Sequence, residues 1–295
     1  MVSDVNSSLP LNVLFRALSY PRNGSATFSF FLIYFRDITI KTALIITSYN
    51  WPGALSLVLE SVSKQTVLPD HVIVADDGSG IGVQFPVREW MRRLRYLTQV
   101  WQPDVAFRAA RVRNLAALKT DADHLVFVDG DCLLPPTFIE KHRELIRPNT
   151  LLAGGRYLAD IQKTTMLLSG QVNVDAALFN SAKFKSVSLG PLRDLRSRNW
   201  GAVRTCNFAV MRPDFLKVDG FDESYIGWGR EDTDLVVRLI NAGLTIRSGR
   251  FGVCVYHLNH PVIDRSALPE NDQRLRRAMD NSAIIRASKT SVVGL

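Results

Sequence analysis

The sequence predicts an α/β fold: a mostly parallel central sheet flanked by helices, in a single domain. Three observations predict it. Ala43 to Thr47 (ALIIT), His71 to Ala75 (HVIVA) and His124 to Val128 (HLVFV) are short apolar runs. Runs of this length without polar alternation suit strands buried on both faces. Between the first two, Leu55, Val58, Leu59 and Val62 recur at i, i+3, i+4 and i+7, one face of a helix. Strand, helix and strand in succession make a βαβ unit. Finally, the second and third runs end in acidic residues, where open α/β sheets place their ligands.

The elements follow in order. The ordered pattern begins at Lys41, and Ser48 to Gly53 is turn-like. Leu68-Pro69-Asp70 breaks the first helix. The second strand ends in Asp76-Asp77-Gly78-Ser79; the glycines at 78, 80 and 82 are expected to open no helix. Phe107 to Leu118 is predicted helical. The third strand ends in Asp129-Gly130-Asp131, and Pro135-Pro136 start a helix containing Phe138, His142 and Leu145. From Arg156 to Arg198 periodicity is weak and basic residues are frequent, which predicts an irregular insertion. Cys206 to Met211 is ordered again. Leu235, Val236, Leu239 and Ile240 share a helix face, with Gly243 as the stop. Val253 to Tyr256 is a last short strand. The divisions are an N-terminal extension (1–40), the main domain (41–262) and a basic C-terminal tail (263–295) carrying Arg265, Arg274, Arg276 and Arg277, expected on the surface.

Composition narrows the function. With 46% hydrophobic and 22% charged residues in 295, the chain is neither disordered nor collagen-like. Cys132, Cys206 and Cys254 form no CxxC pair, which argues against a disulfide-stapled module or a structural zinc site and suggests buried fillers. A net charge of +8 favours an anionic partner: a nucleotide-sugar, a membrane surface or nucleic acid. The apolar stretch 26–35, between Arg22 and Arg36, falls short of the roughly 20 residues that span a bilayer. It also lacks a small-residue cleavage site. Three readings stay open: a poorly packed extension, an interfacial anchor, or a natural start near Ile38.

The acidic clusters carry the chemistry. Asp76-Asp77, Asp129/Asp131 and Glu231-Asp232 each pass alone as a turn or a helix cap. Gathered in one cleft, such carboxylates repel and need a cation or a proton. Mg²⁺ and Mn²⁺ prefer oxygen ligands and bridge to diphosphates. No GxGxxG follows the first strand and no GxxxxGK[ST] occurs, which disfavours a dinucleotide-binding site and a P-loop.

The strings TALIITSYNWPGALSLVLESVSKQT, VIVADDGS, FVDGDC and GFDESYIGWGREDTDLVVRLINAGL, in that order, resemble family 2 inverting glycosyltransferases with a GT-A fold. The last also resembles the C-terminal motif of β-1,4-galactosyltransferases and chondroitin-type polymerases. The resemblance runs from about Lys41 to Pro261. It implies that Thr47, Tyr49 and Asn50 line the nucleotide pocket and that Asp77 meets the uracil edge. Arg113 and Asn114 match an Arg-Asn pair near the diphosphate. Asp129 and Asp131 match a DxD pair, Asp131 binding the metal and Asp129 the ribose or a metal-bound water. Asn207 would line the donor or acceptor pocket and Trp228 would stack on a sugar. Asp232 would be the catalytic base, with Glu231 ordering the acceptor. His257, with His260 as second choice, would complete the shell of Mn²⁺ or Mg²⁺.

The implied function is metal-dependent, inverting transfer from a nucleotide-diphospho-sugar, with UDP favoured. The acceptor would be a glycan or glycolipid in lipopolysaccharide, capsule or other cell-surface polysaccharide synthesis. A cytoplasmic location follows, with peripheral association at the inner face of the membrane; Arg193, Arg196 and Arg198 are candidates for meeting an anionic glycan or lipid. The rival readings are an inactive GT-A scaffold, a metal-dependent phosphoester hydrolase and a nucleic-acid-binding protein. The last lacks an aromatic-basic binding motif, and no nucleic-acid partner is expected.

Overall fold

The computed structural model describes residues 16–18, 29–31, 40–175, 200–204, 206–250, 252–261 and 264–292. The chain divides into two compact units, Met1–Ile40 and Lys41–Leu295. In the first, β1 (Arg16–Leu18) pairs antiparallel with β2 (Ser29–Phe31). Most of the apolar stretch 26–35, and Arg193, Arg196 and Arg198, lie outside the described residues.

The second unit opens with the expected βαβ: β3 (Thr42–Ser48), α1 (Pro52–Ser63) and β4 (His71–Asp76). Pro52 starts α1, where its missing N–H and fixed φ suit the first turn. Then come α2 (Ile81–Met91), β5 (Leu97–Trp101), α3 (Ala109–Ala117), β6 (His124–Asp129), β7 (Cys132–Leu133) and α4 (Phe138–Leu145). They are followed by β8 (Thr150–Ala153), β9 (Gly155–Leu158), α5 (Ile161–Leu168), β10 (Asn207–Met211) and α6 (Arg212–Lys217). The last elements are α7 (Glu231–Asn241), β11 (Thr245–Ser248), β12 (Cys254–His257) and α8 (Leu268–Asp280).

Seven strands form the main sheet in the order β11-β8-β10-β6-β3-β4-β5. β6, β3, β4 and β5 run parallel; β10 is antiparallel to both β6 and β8. A small sheet of β7, β12 and β9 stands apart from it. Ala43 to Ile46 of β3 and His124 to Val128 of β6 are buried, and Phe127 stacks on Phe208 with ring centroids 5.0 Å apart. Phe215 and Phe221 close around Phe127 from the far side of β10 in sequence. This aromatic cluster fixes α6 and the loop after it against the sheet.

Three expectations need correction. A helix does open after Gly78-Ser79-Gly80: α2 begins at Ile81 with Gly80 as its cap. Gly80 is extended at φ −66°, so the chain can turn directly from β4 into a helix. Second, residues 155–168 are regular rather than irregular: β9 is followed by α5, whose cap Asp160 accepts from Lys163 N at 2.7 Å. β9 is four residues with none buried and α5 only eight, so neither carries a long enough apolar pattern in the sequence. Third, the basic tail keeps Arg265, Arg276 and Arg277 exposed as expected, but it also forms a helix. α8 packs on α7, burying Asn271, Leu275 and Ala278, while its arginines face outward. A helix can be mostly charged and still bury one narrow stripe.

Candidate active site

Strand register assembles the site. Thr47 lies opposite Asp129 and Ser48 opposite Asp76, so the carboxyl ends of β3, β4 and β6 bring these groups to one edge. Gly130 N donates to Thr47 O at 2.7 Å, and a Cβ on Gly130 would lie 2.9 Å from that oxygen. Glycine between the two aspartates is thus required by the close approach of β3.

Arg113, on α3, is the hub. Its Nε donates to Thr47 Oγ1 (2.9 Å), Nη1 to Glu231 Oε1 (3.1 Å) and Nη2 to Asp129 Oδ1 (3.2 Å). The guanidinium also lies 5.4 Å from the centre of the Phe221 ring. It is buried, at 3% exposure. Burial works against its charge, but Asp129 and Glu231 outweigh that and hold its pKa above the ordinary value. The planar fork of arginine is what lets one side chain satisfy three groups. Arg113 therefore ties the strand ends to the start of α7 rather than lying open to a ligand.

At the second corner, Asp131 faces two imidazoles. His257 Nε2 is 3.7 Å from Asp131 Oδ1 and His260 Nε2 is 3.6 Å from Oδ2. The pairing of His257 with Cys132 in the β12–β7 ladder places the first imidazole. Each histidine has Nδ1 at 2.8 Å from a backbone carbonyl, of Leu258 and Pro261. A carbonyl only accepts, so Nδ1 carries a proton and each ring turns its Nε2 towards Asp131. Such backbone partners orient metal-binding histidines in this way. A carboxylate and two oriented imidazole nitrogens fit a divalent ion, so the residues present suit the implied metal. Cys132 Sγ, Asp131 and His257 also have donor atoms within 4.8 Å of one another. Burial pushes the Cys132 thiol well above its ordinary pKa.

At the third corner, Asp77 is buried beyond the end of β4. It accepts from Arg108 N at 2.8 Å and from Gln102 Nε2. Burial pushes its carboxyl up, and these donors oppose the shift. Tyr49, half-exposed, donates to Asp104 Oδ2 at 3.1 Å. Asn50 Oδ1 accepts from Gly80 N at 3.0 Å, so the turn after β3 is tied to the turn after β4. Gln102, Asp104 and Arg108 were not foreseen. They follow β5, whose polar Thr98 and Gln99 give it no apolar run to find.

Glu231 and Asp232 occupy the first turn of α7, where carboxylates suit the helix dipole. Burial pushes the Glu231 carboxyl up to about 7; Asp232 adds to the rise and Arg113 opposes it. Asp232 is half-buried and accepts from Thr233 N at 2.6 Å. Trp228, just before α7, carries the Arg265 guanidinium 4.9 Å from its ring centre.

Asn114 and Asn207 are bonded within the protein. Asn114 is fully buried; it donates to Phe221 O and Glu223 Oε1 (2.9 Å each) and accepts from Phe221 N (2.9 Å). Asn207, at 1% exposure, donates to Gly155 O (2.8 Å) and Val253 O (3.1 Å) and faces His142 Nε2 at 3.3 Å. Both side chains are spent joining segments of the interior, because a buried amide must satisfy several groups at once.

The sequence matches the profile of glycosyl transferase family 2 over residues 43–219, more than half of the chain, and that of the N-terminal domain of galactosyltransferase over 194–261. It is 28% identical over 255 residues to validoxylamine A glucosyltransferase of Streptomyces hygroscopicus subsp. limoneus, covering 80% of this chain and 56% of that protein. It is 28% identical over 240 residues to chondroitin synthase of Escherichia coli, covering 74% of this chain and 35% of that one. The chain thus spans about half or less of the length of these relatives. Among solved structures, TarS 1–349 of S. aureus in complex with UDP-GlcNAc superposes with a TM-score of 0.60 at 16% identity, over 82% of this chain and 67% of that one.

Proposed function

The chain belongs to glycosyl transferase family 2 and has its GT-A fold, and on that premise we propose that it transfers a sugar, with inversion, from a nucleotide-diphospho-sugar to a glycan or glycolipid hydroxyl. UDP is the proposed nucleotide and Mn²⁺ or Mg²⁺ the proposed ion. The observation that carries this reading is the Arg113 fork, which joins Thr47, Asp129 and Glu231 into one acidic edge beside Asp131.

Residues take roles by position. Asp77, Tyr49 and Asn50 surround the nucleobase end. Asp131, His257 and His260 would hold the ion, which when bound neutralises charge on the leaving diphosphate. Asp232 is the more accessible carboxylate of α7 and takes the proton from the acceptor hydroxyl. Glu231 is held by Arg113 and orders the acceptor side. Trp228 offers a ring face for a sugar. Arg113, Asn114 and Asn207 position these groups from the interior. No covalent intermediate is required.

A relative named for chondroitin synthesis supports a polysaccharide acceptor. The charge of +8 supports work beside an anionic surface, and we place the protein in the cytoplasm at the inner face of the membrane. Among the described residues no helix is long and apolar enough to cross a membrane.

The test is a thermal-shift screen of nucleotide-sugars with Mn²⁺ and then with EDTA, followed by transfer assays. A ligand at 100 times its Kd stabilises by about 2.7 kcal/mol, so a metal-dependent shift with one UDP-sugar is the expected result. No shift with any nucleotide-sugar, in folded protein, refutes the donor reading. UDP release that is indifferent to acceptor favours a hydrolase.

A further inference from the structure

The matched family regions end at residues 219 and 261. Yet chain beyond 261 holds the loop that leads into Glu231 and Asp232. At the start of that loop, Glu223 N donates to Lys289 O (2.7 Å), and Asp222 Oδ2 accepts from Ser288 Oγ (2.7 Å). At its end, the grip comes from α8. Asn271 donates to Ile226 O at 3.3 Å, and a Cβ on Gly227 would collide with the Cβ of Ala267.

Arg230 is the last residue of the loop and immediately precedes α7. It is left-handed, at φ 77°, and has no side-chain cap for the helix. A non-glycine residue in that region carries strain on the order of 1 kcal/mol or more. Its Nε donates to Asp272 Oδ1 on α8 at 2.5 Å. This ion pair is half-buried, which limits solvent screening and favours a fixed geometry. The backbone consequence is direct: Arg230 O accepts from Asp234 N at 2.9 Å, closing the first turn of α7. Whatever holds Arg230 also sets where the two carboxylates of that turn point.

We propose that Asp272 is a positioning residue for the transfer reaction, holding Arg230 left-handed and so fixing Glu231 and Asp232 at the acceptor side of the cleft. This rests on the roles given above to those two carboxylates. Asp272 touches neither substrate nor reacting atoms; it acts through Arg230.

Three variants test it. Asp272→Ala should lower kcat by about 10- to 100-fold, the scale of a small misplacement of a catalytic group. The KM for the nucleotide-sugar should stay within about twofold, since donor contacts are untouched. Asp272→Glu should restore most of the rate. In Arg230→Ala the strain of the left-handed φ remains while the ion pair that holds it is gone, so kcat should fall as in Asp272→Ala. That variant carries the test if Asp272→Ala does not fold. Hydrogen exchange supplies a readout that needs no turnover: the amides of Gly227 and Asp234 should exchange faster in Asp272→Ala. If the wild type transfers no sugar, the functional reading fails while exchange still decides the role of Asp272. Wild-type kcat in folded Arg230→Ala, or unchanged exchange in Asp272→Ala, overturns the proposal. So does a fall in melting temperature with kcat and KM both preserved.

Discussion

The proposed donor and acceptor sides of the cleft are built in different ways. On the donor side, Thr47, Asp77 and Asp129 follow the ends of neighbouring parallel strands, and register alone aligns Thr47 with Asp129. On the acceptor side, Trp228, Glu231 and Asp232 sit on a loop and a first helical turn held by chain many residues downstream. The first arrangement is rigid because the sheet is rigid. The second depends on packing between α7 and α8, so it is the side where small distant changes should alter catalysis. Arg113 bonds both, reaching Thr47 and Asp129 on one side and Glu231 on the other.

The sharpest way to separate the sides is Asp232→Asn. Loss of a general base is expected to lower kcat by about 100- to 10,000-fold, while UDP affinity, measured by titration calorimetry, stays near wild type. Full activity would remove Asp232 from the base role. Glu231→Gln, made in parallel, decides between the pair, because a carboxyl pushed up to about 7 also suits proton transfer near neutrality.

Removing a donor-side group should do the reverse. Asp131→Ala should weaken Mn²⁺ binding by more than the roughly 10- to 100-fold typical of an outer-shell partner. His257→Ala and His260→Ala should each weaken it as well, read by metal titration without turnover. If His260→Ala binds Mn²⁺ like wild type, His257 alone completes the shell.

Cutting the bridge comes next. Arg113→Met leaves Asp129 and Glu231 without their buried cation, and breaking a buried pair on one side costs about 3–5 kcal/mol. Urea unfolding should show that loss. A variant of unchanged stability would mean the two sides are held independently.

The smallest effect lies beneath the donor side. Burial depresses the pKa of His124 to about 3, with Arg143 adding to the shift, and that of His142 well below its ordinary value. Neutral in the fold and protonated in the unfolded chain, each contributes stability that is complete above pH 6.5 and lost as pH falls towards its folded pKa. The loss approaches about 1.4 kcal/mol per pH unit for each group between those limits. Stability at pH 5 should therefore fall below that at pH 7.5, and His124→Leu should flatten the slope.

Much of the donor side was legible because its signals are local. An apolar run followed at once by acidic residues marks a strand end, and Asp77, Asp129 and Asp131 were found that way. The helix bearing Glu231 and Asp232 was legible for the same reason, from Leu235, Val236, Leu239 and Ile240. Asn114 and Asn207 show the limit. An asparagine beside a motif looks the same whether it faces a ligand or bonds two backbone groups and a side chain in the interior. Gln102, Arg108 and Asp104 were invisible because β5 has no apolar run to announce the loop behind it. Asp272 was one acid in a charged tail, and nothing in its neighbours along the chain points to Arg230.

The sequence by itself determined the parallel core, the order of the acidic clusters and the family, because strand runs, helix periods and motif strings are short-range patterns. Only the tertiary structure decided that Arg113 is buried as a three-way tie, that two histidines face Asp131, and that the C-terminal helix bonds the loop before Glu231. Those facts depend on groups 16 to 129 positions apart meeting in space. Desolvation, charge pairing and packing set which of them meet, and none of these is written in neighbouring residues.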